Sequence, residues 1–143
     1  MSGLELKKKF ISFDQSTKLT CSSVNEDDFL KVNKHNLIKR KFISRGSGLS
    51  YPALSFESNS NTIMPVKSNK KFDLNVEDQT LTVCPSITLG SIFNAIKPYG
   101  LFLKIQPGHP KISIGGCIAC NVHGKNQAAE GLFENQIISL ELY

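Results

Sequence analysis

The sequence contains no long uninterrupted apolar run. Its 143 residues are 40% hydrophobic and 20% charged, with a mean hydropathy of -0.15, as in an ordinary globular domain. No stretch approaches the roughly 18 to 20 apolar residues that a membrane-spanning helix needs. Polar residues also follow Lys7, Lys8 and Lys9, where a signal peptide would have its apolar core. We therefore expect one cytoplasmic domain without a membrane span, and its association with a membrane surface is left open.

Arginine is scarce, although the chain carries a net charge of +5. Arg40 and Arg45 are the only arginines, and lysines supply the remaining positive charge. Nucleic-acid-binding surfaces favour arginine for bidentate contacts and place aromatic residues among the basic ones. Here the lysines are scattered, and the one dense basic patch covers residues 39–41. We therefore expect no nucleic-acid partner and favour a phosphorylated or otherwise anionic ligand.

The four cysteines form no regular disulfide or zinc-binding pattern. Cys21 and Cys84 stand alone, whereas Cys117 and Cys120 form a C-x-x-C pair. A zinc site needs a second ligand pair, and a c-type haem needs histidine directly after the second cysteine, where this chain has Asn121. A thiol redox pair is an open alternative. The small apolar neighbours favour free thiols packed as small hydrophobic side chains, and we expect no metal.

Hydrophobic periodicity and turn residues predict an α+β fold with mixed or antiparallel strand pairing. A capping box at residues 23–26 predicts a helix that ends near residue 36. A second helix is predicted over residues 89–96, with Thr88 as its cap and a proline and a glycine behind it. No internal repeat is evident. The predicted strands cover residues 18–21, 42–44, 62–66, 72–76, 81–83 and 137–142.

The first candidate binding segment directly follows a predicted strand. It reads Arg45-Gly46-Ser47-Gly48-Leu49-Ser50-Tyr51. Two glycines around a serine let the backbone turn sharply and point successive N–H groups into one concavity, which can hold a phosphate. It is not a dinucleotide fingerprint, because Tyr51 takes the place of the third glycine and Pro52 follows, and no Gly-Lys-Ser/Thr completes a Walker A loop. A plain turn between strands is the alternative.

The second candidate is a glycine-rich segment over residues 107–126. It opens with Pro107-Gly108 and continues as Ser113-Ile114-Gly115-Gly116-Cys117-Ile118-Ala119-Cys120-Asn121-Val122-His123-Gly124-Lys125-Asn126. The paired glycines before small apolar residues permit a flat or phosphorylated ligand to approach the backbone closely. His123 precedes Gly124, so we expect its imidazole on a sharp bend, with a purely structural histidine as the alternative.

These two segments, with the helical region 87–100 between them, resemble the FAD-binding domain of the vanillyl-alcohol oxidase (PCMH-type) flavoprotein family. The likeness covers roughly residues 38–143. It implies FAD as the cofactor and the N-terminal part of that domain as the fold, a small α/β subdomain followed by the start of a mixed or antiparallel sheet subdomain. Many relatives bind flavin covalently through a histidine in the pyrophosphate loop. Residues 45–51 contain none, so the resemblance implies FAD that can dissociate.

The resemblance also implies which residues contact FAD. The pyrophosphate would be wrapped by Arg45, Gly46, Ser47, Gly48, Leu49, Ser50 and Tyr51. Pro107 and Gly108 would border the cofactor channel, and the phosphate and ribityl region would be lined by Ser113, Ile114, Gly115 and Gly116. The cofactor would run along Ala119, Cys120 and His123, with Gly124 shaping the bend. The chain departs from the family pattern at Pro52 and His109.

By the same resemblance, the full enzyme is expected to oxidise a CH–OH group of a sugar or lipid-linked sugar by hydride transfer to flavin. Residues 1–143 are expected to be an incomplete FAD-binding domain without the substrate domain, so no catalytic residue is assigned. An apolar strand at 137–142 without partners would favour self-association. The alternatives are an aldonolactone or alditol oxidase, a non-catalytic ligand-binding domain, and a C-x-x-C thiol or metal protein.

Overall fold

The computed structural model describes residues 6–31, 40–51, 54–65 and 72–142. The chain divides into two units, Met1–Ser68 and Asn69–Tyr143. Helices occur together with parallel and antiparallel strand pairs, which confirms the predicted α+β class. Within the described ranges, no helix has the length and apolar character needed to cross a membrane.

The first unit is built on a four-stranded sheet with the order β1-β2-β4-β3. The edge strand β1 (Leu6–Ile11) pairs antiparallel with β2 (Lys18–Asn25). The strands β2 and β3 (Phe42–Ser44) each pair parallel with β4 (Asn61–Met64). The sheet is therefore mixed. Pro65 directly follows β4, so the strand ends two residues before its predicted end at residue 66, because proline cannot donate to a sheet ladder.

Two features of this sheet differ from the sequence prediction. The strand β1 was missed because three consecutive lysines hide its pattern, and only Phe10 in it is buried. The strand β2 runs to Asn25, four residues beyond its predicted end, since β1 pairs with it as far as Ser23 and β4 pairs with it from Ser22 to Asn25. The predicted capping box is therefore wrong. Asn25 caps the helix α1 (Glu26–Leu30), and its side chain accepts the N–H of Asp28 at 2.8 Å.

The predicted end of this first helix, near residue 36, lies outside the described residues. The core beside the sheet is formed by Phe10, Cys21 and Phe56. The two phenylalanine rings are stacked, with their centroids 5.7 Å apart. Burial raises the pKa of the Cys21 thiol, so this cysteine is an unreactive part of the core.

The second unit packs a β-hairpin and short helices around one apolar core. The hairpin consists of β5 (Phe72–Asn75) and β6 (Thr80–Val83). Three helices follow, α2 (Leu89–Ile96), α3 (Ile114–Ala119) and α4 (Gln127–Glu130). The hairpin and α2 lie where the sequence predicted them. The buried core residues are Ile87, Leu89, Ile92, Ile96, Ile105, Ile114, Cys117 and Phe133.

Both ends of α2 follow the prediction. The hydroxyl of Thr88 accepts the N–H of Ser91 at 3.2 Å, which caps the first turn. At the other end, the chain tightens into a 3-10 turn over Lys97–Tyr99 and leaves it through Gly100, whose φ is 71°. Glycine adopts this left-handed conformation without the steric cost that a Cβ brings.

The predicted final strand is not present. Residues 137–142 form no strand, and Ile138, Leu140 and Leu142 are 83%, 55% and 89% exposed. The alternation of apolar residues is correct for a strand, but a strand also needs a neighbour to pair with. No described strand lies alongside this segment.

The second unit contains an internal repeat that the sequence analysis did not identify. Residues 85–90 read Pro-Ser-Ile-Thr-Leu-Gly, and residues 110–115 read Pro-Lys-Ile-Ser-Ile-Gly. Each copy leads into a helix, and a β-bridge between Thr88 and Ser113 joins the two copies antiparallel. We call these twelve residues the paired turns. The repeat escaped detection because it is short and occurs in only two copies.

Each of the paired turns supplies hydrogen-bond acceptors for the helix that begins in the other. The bonds are Leu89 N–H to Ile112 O (2.9 Å), Gly90 N–H to Pro110 O (2.7 Å), Ile114 N–H to Ile87 O (2.8 Å) and Gly115 N–H to Pro85 O (2.8 Å). The next two N–H groups of each helix are bonded to the cap residue, Thr88 or Ser113. The N–H groups that a helix normally leaves unpaired at its start are thus all satisfied.

The glycine that ends each paired turn permits this close approach. A Cβ on Gly90 would lie 3.0 Å from the Cβ of Pro110 and 3.1 Å from its carbonyl oxygen. A Cβ on Gly115 would lie 2.9 Å and 3.2 Å from the same atoms of Pro85. In both cases the added Cβ would approach a backbone carbonyl oxygen. A side-chain rotation cannot relieve such a clash.

We therefore expect Gly90→Ala and Gly115→Ala to destabilise the protein by about 1–3 kcal/mol each, the cost of overpacking a tight contact. In a helix, alanine is ordinarily about 1 kcal/mol more stabilising than glycine. A loss of stability on Gly→Ala substitution would therefore indicate the steric conflict described above. Urea unfolding followed by circular dichroism measures it. Gly108→Ala is the control, because nothing lies within 4 Å of its added Cβ. A gain in stability for Gly115→Ala would contradict the paired-turn description.

Candidate functional site

The segment 45–51 lies in the first unit, directly after the C-terminal end of β3. The N–H of Arg45 donates to the carbonyl oxygen of Ile63 at 3.0 Å, which extends the β3–β4 ladder into the loop. Gly48 has a φ of 72°, so the loop reverses direction at a residue where other side chains are strained. Gly46 and Ser47 are exposed. We call residues 45–51 the phosphate loop.

The phosphate loop has unpaired hydrogen-bond donors. The N–H groups of residues 46–50 donate no hydrogen bond to any residue that the structure describes, and the hydroxyls of Ser47 and Ser50 form none with those residues. Unpaired N–H groups on an exposed glycine loop suit an anionic ligand with several acceptor oxygens. The residues present therefore fit a phosphate or pyrophosphate group.

The side chain of Arg45 packs against the core of the first unit. Its guanidinium carbon lies 5.1 Å from the ring centre of Phe10 and 5.3 Å from that of Phe56. One terminal nitrogen, Nη1, donates to the hydroxyl of Ser55 at 2.7 Å. Burial lowers the pKa of Arg45, although a guanidinium remains protonated at neutral pH.

An aromatic pair borders the phosphate loop. The rings of Phe13 and Tyr51 meet edge to face, with their centroids 5.2 Å apart, and the N–H of Phe13 donates to the carbonyl oxygen of Ser50 at 3.4 Å. Tyr51 was predicted from the sequence, whereas Phe13, Phe10 and Phe56 were not. Phe10 lies in β1, Phe13 follows that strand, and Phe56 lies in the loop before β4, so no single local motif marks them.

The second candidate segment lies in the second unit and includes a helix that was not predicted. The glycine pair suggested a loop, since glycine disfavours helices. Ser113 nevertheless caps α3 by accepting the N–H of Gly116 at 3.3 Å, and burial of Ile114 and Cys117 stabilises it. The N–H groups of Ile114 and Gly115 are engaged in the paired turns. Contacts of Ser113–Gly116 with FAD stay a prediction. Any such contact would have to use atoms other than the N–H groups of Ile114 and Gly115, because these are already hydrogen-bonded.

Beyond α3, the backbone turns two residues earlier than the bend expected at His123. The left-handed residue is Asn121, with a φ of 40°, whereas His123 is extended and forms a β-bridge with Leu132. Gly124 is buried, and a Cβ there would lie 3.1 Å from the backbone nitrogen and oxygen of Gln106. The glycine at this position therefore permits close packing of two chain segments.

The remaining predicted residues of this segment differ in exposure. Ala119, Cys120 and His123 are exposed, and the Nδ1 atom of His123 lies 3.2 Å from the carbonyl oxygen of Gly124. Pro107 is half-buried and Gly108 is exposed. The two candidate segments belong to different units of the chain.

The two cysteines of the C-x-x-C pair lie in different environments. Cys117 is fully buried, and its burial, together with the negative charge that Cys120 can carry, raises the pKa of its thiol to about 12. The packing prediction is confirmed for Cys117 but not for Cys120, which is exposed. Among the described residues, no cluster of metal-ligating side chains occurs. A buried thiol that resists ionisation argues against a redox pair, because the thiolate is the reactive form.

We expect iodoacetamide to alkylate Cys120 in the folded protein while Cys117 stays unmodified until the protein unfolds. Peptide mass spectrometry with and without urea measures this difference. The stabilising contribution of the protonated Cys117 thiol should be complete below the ordinary cysteine pKa and should decline as the pH rises towards about 12. Rapid labelling of native Cys117 would contradict the burial described above.

The sequence belongs to a known family. Residues 27–143 match the family model described as FAD binding domain. Since this match covers most of the chain, the protein is a member of that family and its cofactor is FAD. The resemblance to the FAD-binding domain of the PCMH-type flavoproteins is thereby confirmed.

One characterised relative is decaprenylphosphoryl-beta-D-ribose oxidase from Mycolicibacterium smegmatis. It is 30% identical to this chain over 103 residues, which is 72% of the chain and 22% of the relative. The chain thus spans about a fifth of the length of that oxidase.

Solved structures confirm the fold. A variant of cholesterol oxidase from Brevibacterium sterolicum superposes with a TM-score of 0.67 at 14% identity, over 84% of this chain and 25% of its own. Aclacinomycin oxidoreductase superposes with a TM-score of 0.57 at 16% identity, over 79% of this chain and 23% of its own. At these identities the likeness shows a shared fold.

Proposed function

We propose that this chain forms part of the FAD-binding domain of an FAD-linked oxidoreductase that acts on CH–OH groups. Membership of the family supports the cofactor, and the mycobacterial relative supports a sugar or lipid-linked sugar as the class of substrate. Because the chain corresponds to 22% of that relative, we place the substrate-binding and catalytic groups in sequence outside residues 1–143.

The phosphate loop is the observation that carries the proposal. It presents N–H groups from residues 46–50 that are not bonded to any described residue, together with the hydroxyls of Ser47 and Ser50. In this role, the N–H groups donate to the pyrophosphate oxygens of FAD, and Gly48 supplies the left-handed backbone conformation at which the loop turns. The loop contains no histidine for covalent attachment, so we propose that FAD is bound reversibly.

Residues of the second segment are also proposed to contact FAD. Bound FAD accepts a hydride from the substrate, and the protein contributes position and electrostatics. Ala119, Cys120 and His123 are exposed and available for contact. The bridge between His123 and Leu132 fixes the backbone that carries the imidazole, which makes His123 suited to orient a ligand.

Substitution of Gly48 tests the phosphate loop. A Cβ at this position would lie 2.2 Å from Nη2 of Arg45, in a backbone conformation that already disfavours side chains. We expect Gly48→Val to weaken FAD binding at least about tenfold, the loss of one charge-assisted hydrogen bond or more. Fluorescence titration of the purified protein with FAD measures this.

Gly100→Val is the matched control for that experiment. Gly100 has nearly the same φ, 71°, but nothing lies within 4 Å of its added Cβ. It should cost similar stability through backbone strain while FAD affinity stays unchanged. Equal affinity of wild type and Gly48→Val for FAD would show that the loop is only a turn.

The proposed substrate class is tested on the polypeptide that contains this chain together with the sequence beyond it. We expect anaerobic addition of a polyprenylphosphoryl aldose to bleach the flavin absorbance. An aldonolactone precursor or an alditol serves as the comparison. Bleaching by the alditol alone would favour the aldonolactone or alditol oxidase alternative, and no bleaching by any CH–OH compound would overturn the proposed reaction.

A further inference from the structure

The guanidinium of Arg45 is held from several sides within the first unit. Phe10 and Phe56, over whose rings it lies, are each only 3% exposed. Its hydrogen bond to Ser55 fixes one end of the planar group, and its other terminal nitrogen lies 3.5 Å from the carbonyl oxygen of Ile11. A side chain with this many contacts has little freedom to swing outward and surround a ligand.

The same guanidinium directly supports the phosphate loop. A Cβ built on Gly48 would lie 2.2 Å from Nη2 and 2.7 Å from Cζ of Arg45. The guanidinium therefore fills the space that any other residue at position 48 would need for its side chain. The guanidinium and the loop backbone at Gly48 are therefore in close contact.

Among the residues that the structure describes, no carboxylate neutralises the charge of Arg45. Its contacts are two aromatic rings, a hydroxyl and a carbonyl oxygen, and across the described ranges no acidic side chain forms an ion pair with it. A half-buried cation without a counterion is costly. The loop backbone at Gly48 lies beside this cation, and an anion bound to the N–H groups of the loop would interact favourably with both.

We propose that Arg45 is a positioning residue that supports the phosphate loop from the core side and acts on the FAD pyrophosphate as a fixed charge behind the backbone of Gly48. This differs from the expectation that Arg45 itself wraps the phosphates. The inference rests on the proposed FAD binding, in which the N–H groups of residues 46–50 are the direct ligands. Their orientation depends on the guanidinium, and its charge strengthens the binding of an anion.

The test compares Arg45→Met, which keeps bulk and removes charge, with Arg45→Lys, which keeps charge and loses the planar fork. Each is titrated with FAD, ADP and riboflavin at low and high salt. We expect Arg45→Met to bind FAD and ADP about tenfold or more weakly, with a flatter salt dependence, and riboflavin, which lacks phosphate, nearly as well as wild type. Arg45→Lys should restore the salt dependence but only part of the affinity.

Two further variants keep the test independent of folding defects. Ser55→Ala removes one partner of the guanidinium without changing any charge, and it should weaken ADP binding by a smaller factor than Arg45→Met. Arg40→Met is the matched control, because it removes the other arginine of the chain, which lies before β3 rather than after it. It should leave ADP affinity and its salt dependence unchanged.

The ligand-free protein gives a separate measurement. The backbone amide signals of residues 46–50 in a two-dimensional NMR spectrum should shift in Arg45→Met and in Ser55→Ala even without FAD. Unchanged loop signals, or equal losses of ADP and riboflavin affinity in Arg45→Met, would overturn the positioning role. If wild-type protein bound no FAD or ADP while the loop signals shifted, the proposed function and the fixed-charge role would fall, and the support of the loop by Arg45 would stand.

Discussion

Backbone N–H groups in glycine-rich turns need hydrogen-bond acceptors. In this protein one glycine-rich segment has acceptors within the chain, and the other leaves its N–H groups available to a ligand. In the paired turns of the second unit, the helix starts are bonded by the carbonyl groups of Pro85, Ile87, Pro110 and Ile112 and by the cap residues. In the phosphate loop of the first unit, the corresponding groups find no acceptor among the described residues. A glycine-rich sequence is therefore not enough to identify an anion site, and the hydrogen-bond partners decide which of the two segments can receive one.

Local sequence signals predicted the parts of the fold that depend on local physics. The hairpin of β5 and β6 and the helix α2 with its cap Thr88 follow from alternation, helical spacing and capping within a few residues. The strand β1 and the absence of a strand at 137–142 depend instead on whether another segment pairs with them. The sequence of a segment does not show which other segment pairs with it. The lysines of β1 therefore concealed a strand, and the apolar residues 138, 140 and 142 predicted a strand that is not present.

The candidate site shows the same division. The family resemblance located the phosphate loop and the glycine-rich segment, and membership of the FAD-binding family is confirmed. The contacts of Phe10, Phe56 and Ser55 with the Arg45 side chain could not be predicted, because these residues are brought to Arg45 by the sheet and by a loop rather than by sequence spacing. Likewise, Gly115 was interpreted as an opening for a ligand and Gly124 as the residue that shapes a bend, whereas the structure shows each of them against a neighbouring backbone.

The paired turns have a consequence for the order in which the second unit can form. Because the first N–H groups of α2 and α3 are bonded to carbonyl groups in the opposite copy, neither helix start is complete until residues 85–90 and 110–115 have met. The chain between them must therefore close as a loop early, at the entropic cost of bringing its ends together. The two helix starts then form and open as one cooperative unit, so slow amide exchange at Gly90 should be matched by slow exchange at Gly115.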